Sequence, residues 1–86
     1  MSFPTPDPDV AFQRVEGEMV LVHLKTNQIF ALNPTGARFW ELFAEGRPRA
    51  EIEAVMLSEF DVDSEVLVGE IDALLVELVR ERLVRA

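Results

Sequence analysis

The residues that could do chemistry in this chain are a few carboxylates, one imidazole and isolated hydroxyls. Asp61, Asp63 and Glu65 alternate as the opening ligands of a calcium loop do, since a hard cation draws oxygens from every second residue of a tight turn. The loop fails at its next requirements: Val66 stands where the turn needs glycine, and Asp72 where the bidentate glutamate belongs. Asp63 reads instead as the N-cap of a helix. His23 sits in an apolar run with no second histidine in the chain, so a structural role suits it better than ligation. Ser58 and Ser64 have no neighbouring base. Cysteine is absent, which removes thiol nucleophiles, disulfides and thiolate metal sites together. Gly17, Gly36, Gly46 and Gly69 are scattered rather than gathered into a phosphate loop. The expectation is a non-enzyme that uses no cofactor and no metal.

The chemistry of binding remains. The chain has 86 residues, of which 49% are apolar and 28% charged, a composition that folds as one small domain. Eight basic residues against sixteen acidic ones give a net charge of −8, which repels phosphate backbones and anionic membrane surfaces. A cationic or largely apolar peptide is the better partner. The first residues, MSFPTPDPDV, have no basic start and no long apolar run, and no segment approaches the ~18 apolar residues that cross a bilayer. A cytoplasmic protein is expected.

Residues 1–9 carry three prolines and read as an extended lead-in; residues 10–86 read as a single domain. Residues 10–16, 19–24 and 28–32 are three short strand-like runs, and spacings this short impose antiparallel hairpins. The period then changes. Asn33-Pro34 starts a helix carrying Phe39, Trp40, Leu42 and Phe43, which Gly46 ends. Pro48 opens a second helix with Ile52, Val55, Met56 and Phe60 on one side, and Asp63 a third that runs to about Arg82. The predicted fold is α+β: a three-stranded antiparallel sheet followed by three helices.

At about 100° per residue, Leu67, Ile71, Leu74 and Leu78 of the third helix fall within about 60° and form a core stripe. Val68, Leu75, Val76, Val79 and Leu83 extend the apolar surface by about another 100°, interrupted by Asp72, while Glu70, Ala73, Glu77 and Glu81 fill the remaining side. The second flank is either further core or one wall of a groove, with Asp72 placed for a cationic residue. The third strand supplies a second wall. Gln28, Ile29, Phe30, Ala31 and Leu32 contain neither charge nor proline, the usual means of blunting an edge. Residues 1–9 cover that edge, or it is open to accept another strand.

The run Phe30-Ala31-Leu32-Asn33, then Thr35-Gly36-Ala37 and Phe39-Trp40-Glu41-Leu42, resembles the PqqD-like family. Glu45-Gly46, Glu51-Ile52, Glu59-Phe60-Asp61-Val62 and the stretch 74–84 extend the resemblance over about residues 10–86. It departs at Arg82, where members often carry glycine before the last aliphatic pair. The resemblance implies a winged helix-turn-helix-like domain that recognises the leader of a ribosomally made, post-translationally modified peptide. It also implies that the leader is an added strand on the third strand, beside the third helix, and that separate enzymes process it. Asn33-Pro34-Thr35-Gly36-Ala37 is most similar to stand-alone lasso-peptide leader binders, whose partners are a leader peptidase and a cyclase.

Four readings follow. In the leading one, the backbone of Gln28, Ile29, Phe30, Ala31 and Leu32 pairs with a leader, Val68, Leu75, Val76 and Val79 receive its apolar side chains, and Asp72 pairs with a basic one. A peptide chaperone of the pyrroloquinoline quinone pathway, working with a radical SAM enzyme, is the related alternative. A winged-helix DNA-binding regulator shares the architecture but opposes it in charge. Self-association through paired edge strands would give a homodimer of the unliganded protein.

Overall fold

The computed structural model describes residues 3–85. Its elements, in order, are β1 (Thr5–Pro6), β2 (Val10–Val15), β3 (Glu18–His23), β4 (Gln28–Leu32), α1 (Pro34–Ala44), α2 (Arg49–Glu59), α3 (Ser64–Arg80) and β5 (Val84–Arg85). The main sheet is the antiparallel meander β2-β3-β4, as the short spacings predict, and three helices follow it.

Two tight hairpins set the register. Val15 pairs with Glu18 across Glu16 and Gly17, whose φ values of 49° and 87° match the twist of the flanking strands. His23 pairs with Gln28 across a four-residue loop. Alternation then sorts the side chains: Met19, Leu21 and His23 are buried, while Phe30 and Leu32, opposite Leu21 and Met19, are half-buried on the same face. His23 is 5% exposed, and its Nδ1 accepts the Lys25 backbone N–H at 3.3 Å, so it serves the hairpin.

Helix α1 is the centre of the molecule. Asn33 caps it with Oδ1 accepting the Gly36 N–H at 2.9 Å, and Pro34 occupies the first turn, where its missing N–H costs nothing. Ala37, Phe39, Trp40, Leu42 and Phe43 are all buried, between Leu21 of the sheet, Ile52 and Met56 of α2, and Leu67, Ile71 and Leu78 of α3. Burying each aromatic contributes about 2–3 kcal/mol. Arg38 fastens α1 to the end of α2 through two 2.8 Å bonds to Glu59. Arg14 of β2 reaches Glu41 at 2.6 Å, and this contact, with the help of Arg38, holds the Glu41 carboxyl below its usual range.

The lead-in is more engaged than its composition suggests. Thr5 pairs with Arg85 and Pro6 with Val84 in a two-stranded ribbon, and the Asp7 N–H donates to the Leu83 carbonyl at 3.0 Å. A two-residue strand at an edge tolerates the proline, which has no N–H to leave unpaired. The Asp9 N–H, and after it Arg85, holds the Asp7 carboxyl below its usual range. Asp63 occupies the N-cap of α3 as the sequence predicts, although its side chain makes no capping bond.

The departure at Arg82 does not prevent the closing turn. Helix α1 ends with Gly46 at φ 85°, the Gly46 N–H meeting the Phe43 carbonyl at 3.0 Å and the Arg47 N–H meeting Leu42 at 3.4 Å. Helix α3 ends at Arg80, two residues short of the sequence reading, in the same motif. Arg82 stands at φ 60°, with its N–H on Val79 at 3.1 Å and that of Leu83 on Leu78 at 2.9 Å. An arginine there carries a left-handed strain that glycine would not. Arg82→Gly is therefore expected to stabilise the fold by about 0.5–1 kcal/mol after the extra chain entropy of glycine is deducted. Urea denaturation followed by the fluorescence of Trp40 measures it, and a loss of stability would assign the Arg82 side chain a contact worth more than that strain.

Candidate functional site

Among the described residues, the edge of β4 away from β3 carries no strand: β4 pairs with β3, and the lead-in pairs with β5 instead. Of the two readings of this edge, coverage by residues 1–9 is thus excluded for the described part of that segment. Ile29 is 69% exposed and Ala31 is exposed, so the strand presents both backbone and apolar side chains. Five residues of strand span roughly 17 Å.

Beside this edge lies a cavity of about 400 Å³. Its β4 side is formed by Ala31 and Leu32, its end by Asn33, Thr35 and Gly36 at the start of α1, and its floor by Phe39 and Met56. The opposite wall is α3, through Glu70, Ile71, Ala73 and Leu74. Gly36 makes this corner close: a Cβ there would lie 3.3 Å from the Leu32 Cβ and 3.4 Å from Asn33 Oδ1, so the neighbour would have to give by a few tenths of an ångström. Most of the lining side chains are apolar, and small Ala73 lies between Glu70 and Leu74 on the α3 wall.

The α3 side of this cavity differs from the α3 flank read from the sequence as a binding surface. The cavity is lined by neither Val68, Asp72, Leu75, Val76 nor Val79, which lie on the other flank of the helix. Helix α2 packs back along α3 after a short link and engages the part of that flank around Val68 and Asp72. Arg49 of α2 reaches Asp72 at 2.6 Å and the Val68 carbonyl at 3.4 Å. The Glu53 carboxylate, and after it Asp72, raises the Arg49 pKa above its ordinary value. Asp72 thus has an intramolecular cation. Val68 and Leu75 are half-buried, whereas Val76 and Val79 are each 57% exposed.

Leu74, read as core, is half-buried and faces the cavity, and Glu70 and Ala73, read as the polar side, complete its wall. The available signal was the small residue beside Leu74 at the margin of the core stripe. Among the described residues, no three His, Asp or Glu side chains come together as a metal site, and no helix is long and apolar enough to cross a membrane. An open strand edge above an apolar trough can take an extended chain: backbone bonds hold it, and alternate side chains fall into the trough.

Residues 18–84 match the family of coenzyme PQQ synthesis protein D (PqqD), and the chain belongs to that family. Among solved structures, the chain resembles that of TbiB1 in complex with the TbiA(beta) leader peptide, with 29% identity over 93% of each chain and a TM-score of 0.88. It also shares its fold with a lasso peptide synthetase B1 complexed with the leader peptide, at 20% identity, over 96% of this chain and 98% of that one, with a TM-score of 0.86. No curated protein matches it.

The exposure of Val76 and Val79 argues against the core reading for their part of the flank. Val76→Gln and Val79→Gln are expected to change stability by no more than about 0.5 kcal/mol, as surface substitutions do. Leu78→Gln, between them in sequence but 1% exposed, should cost about 3 kcal/mol or more. Urea titration of the three variants checks this, and unfolding of either valine variant would make the flank core.

Proposed function

We propose that this member of the PqqD family is a non-catalytic leader-peptide-binding module in the biosynthesis of a ribosomally made, modified peptide of the lasso class. The observation that carries the reading is the uncharged, unpartnered edge of β4 standing beside the apolar trough. The likeness to TbiB1, found with a leader peptide, supports it. The leader adds as a further strand along Gln28, Ile29, Phe30, Ala31 and Leu32. Its side chains on the inner face enter the trough against Leu32, Ile71 and Leu74.

Binding concentrates the precursor beside enzymes that remove the leader and close the ring, and fixes the direction in which it is presented. Those enzymes, a leader peptidase and a cyclase, are separate chains, and the complex works in the cytoplasm. The two exposed valines of α3 stand apart from the trough and leave the leader's affinity unchanged when substituted.

The family match favours a second reading, in which the precursor belongs to the pyrroloquinoline quinone pathway and the partner is a radical SAM enzyme. Both readings use the same edge, and the leader that binds distinguishes them. A DNA-binding role is disfavoured by charge placement. Among the described residues, Arg14, Lys25, Arg38, Arg47, Arg49, Arg80 and Arg85 are already ion-paired, and Arg82 is the basic residue without such a pair, a poor set for binding phosphate.

Strand addition has a signature of its own. In a scan of singly N-methylated lasso-precursor leader peptides, measured by fluorescence anisotropy, methylation should weaken binding about tenfold or more at every second residue. The residues between should tolerate it. A weakening that recurs every three or four residues would mean the peptide binds as a helix, and uniform tolerance would remove backbone pairing from the account.

A further inference from the structure

The trough has one carboxylate. Glu70 lies on its α3 wall and is exposed, and among the described residues no lysine, arginine or histidine forms an ion pair with it. The other acids along α3 near the middle of the helix are engaged. Asp72 holds Arg49 on the far flank, and Glu77, two turns along on the same side as Glu70, holds Arg80 at 2.9 Å. Among the described residues, no basic side chain lines the cavity. A peptide entering it therefore meets an apolar floor and one unopposed negative charge at its rim.

We infer that Glu70 is a specificity-determining residue, selecting extended peptides that carry lysine or arginine two positions from an apolar residue. The inference rests on the leader-binding reading and adds the chemistry of what is read. On an added strand every second side chain faces the trough, and such neighbours lie about 6.8 Å apart. Leu74 and Glu70 are four residues apart on α3, about 6 Å of helical rise. One strand period thus spans the apolar contact and the carboxylate. A lysine or arginine can lay its aliphatic stem along Ala73 and keep its charged end in water beside Glu70. The pair is solvent-exposed, so it contributes discrimination rather than most of the affinity.

Random peptides suffice for the test. A displayed library of random twelve-residue peptides is selected on the wild-type protein and on the Glu70→Gln and Glu70→Lys variants. The expected wild-type consensus pairs an apolar residue with a lysine or arginine two positions away. Glu70→Gln should keep the apolar residue and lose the charge preference, and Glu70→Lys should replace it with aspartate or glutamate. In one selected peptide, replacing that basic residue by glutamate should weaken wild-type binding about two- to fivefold. The ratio should reverse on Glu70→Lys and shrink at 0.5 M salt. An apolar consensus with no charge preference, or a basic preference unchanged on Glu70→Lys, would overturn the role of Glu70 and leave leader binding standing. Failure to enrich any peptide on the wild type would remove the leader-binding reading and the inference with it.

Discussion

The arrangement depends on a junction of one residue. Leu32 is the last residue of β4, Pro34 the first of α1, and Asn33 alone turns the chain between them while capping the helix. The cap contributes about 1 kcal/mol, but its geometric consequence is larger. Because α1 is anchored by Phe39, Trp40 and Phe43 in the core, the strand feeding it cannot drift. Gly36 permits the close approach of the helix start to Leu32. The chain leaves the sheet at this corner, and among the described residues no later strand returns to the outer edge of β4. The open edge and the trough meet at this turn, where Leu32, Asn33 and Gly36 line the cavity.

The rest of the molecule is arranged around that vacancy. The lead-in pairs with the carboxy-terminal residues of the described chain, at β5 and not at β4. Arg14, Arg38 and Arg49 tie β2, α1, α2 and α3 together by ion pairs that leave the β4 side untouched. An uncharged edge invites self-pairing, which most proteins prevent by placing charge on the strand itself. A net charge of −8 works against such self-pairing by like-charge repulsion, while the strand itself carries no charge.

Much of this was legible in the sequence because local chemistry governs it. Hairpin spacing, the Asn33-Pro34 start, Gly46 and the helical periods each act within a few residues. They predict the β-β-β-α-α-α order and the β4 edge. The α3 wall was not legible, since a helix period identifies the two flanks of a core stripe without saying which neighbour each will meet. Val68, Asp72, Leu75, Val76 and Val79 form the more apolar flank, yet Arg49 fixes part of it to α2, and the trough opens on the side of Glu70, Ala73 and Leu74. Arg82 shows a similar limit: the sequence reveals a missing glycine, whereas the hydrogen bonds to Leu78 and Val79 show the turn formed regardless.

The most direct test of the central claim is an amide-resolved NMR titration of the isotopically labelled protein with a lasso-precursor leader peptide. The account predicts shifts concentrated at Gln28, Ile29, Phe30, Ala31 and Leu32 and at Glu70, Ile71, Ala73 and Leu74, with Val76 and Val79 little moved. Saturable shifts confined to Val68, Asp72, Val76 and Val79, with β4 silent, would contradict it and place the peptide on the opposite flank of α3.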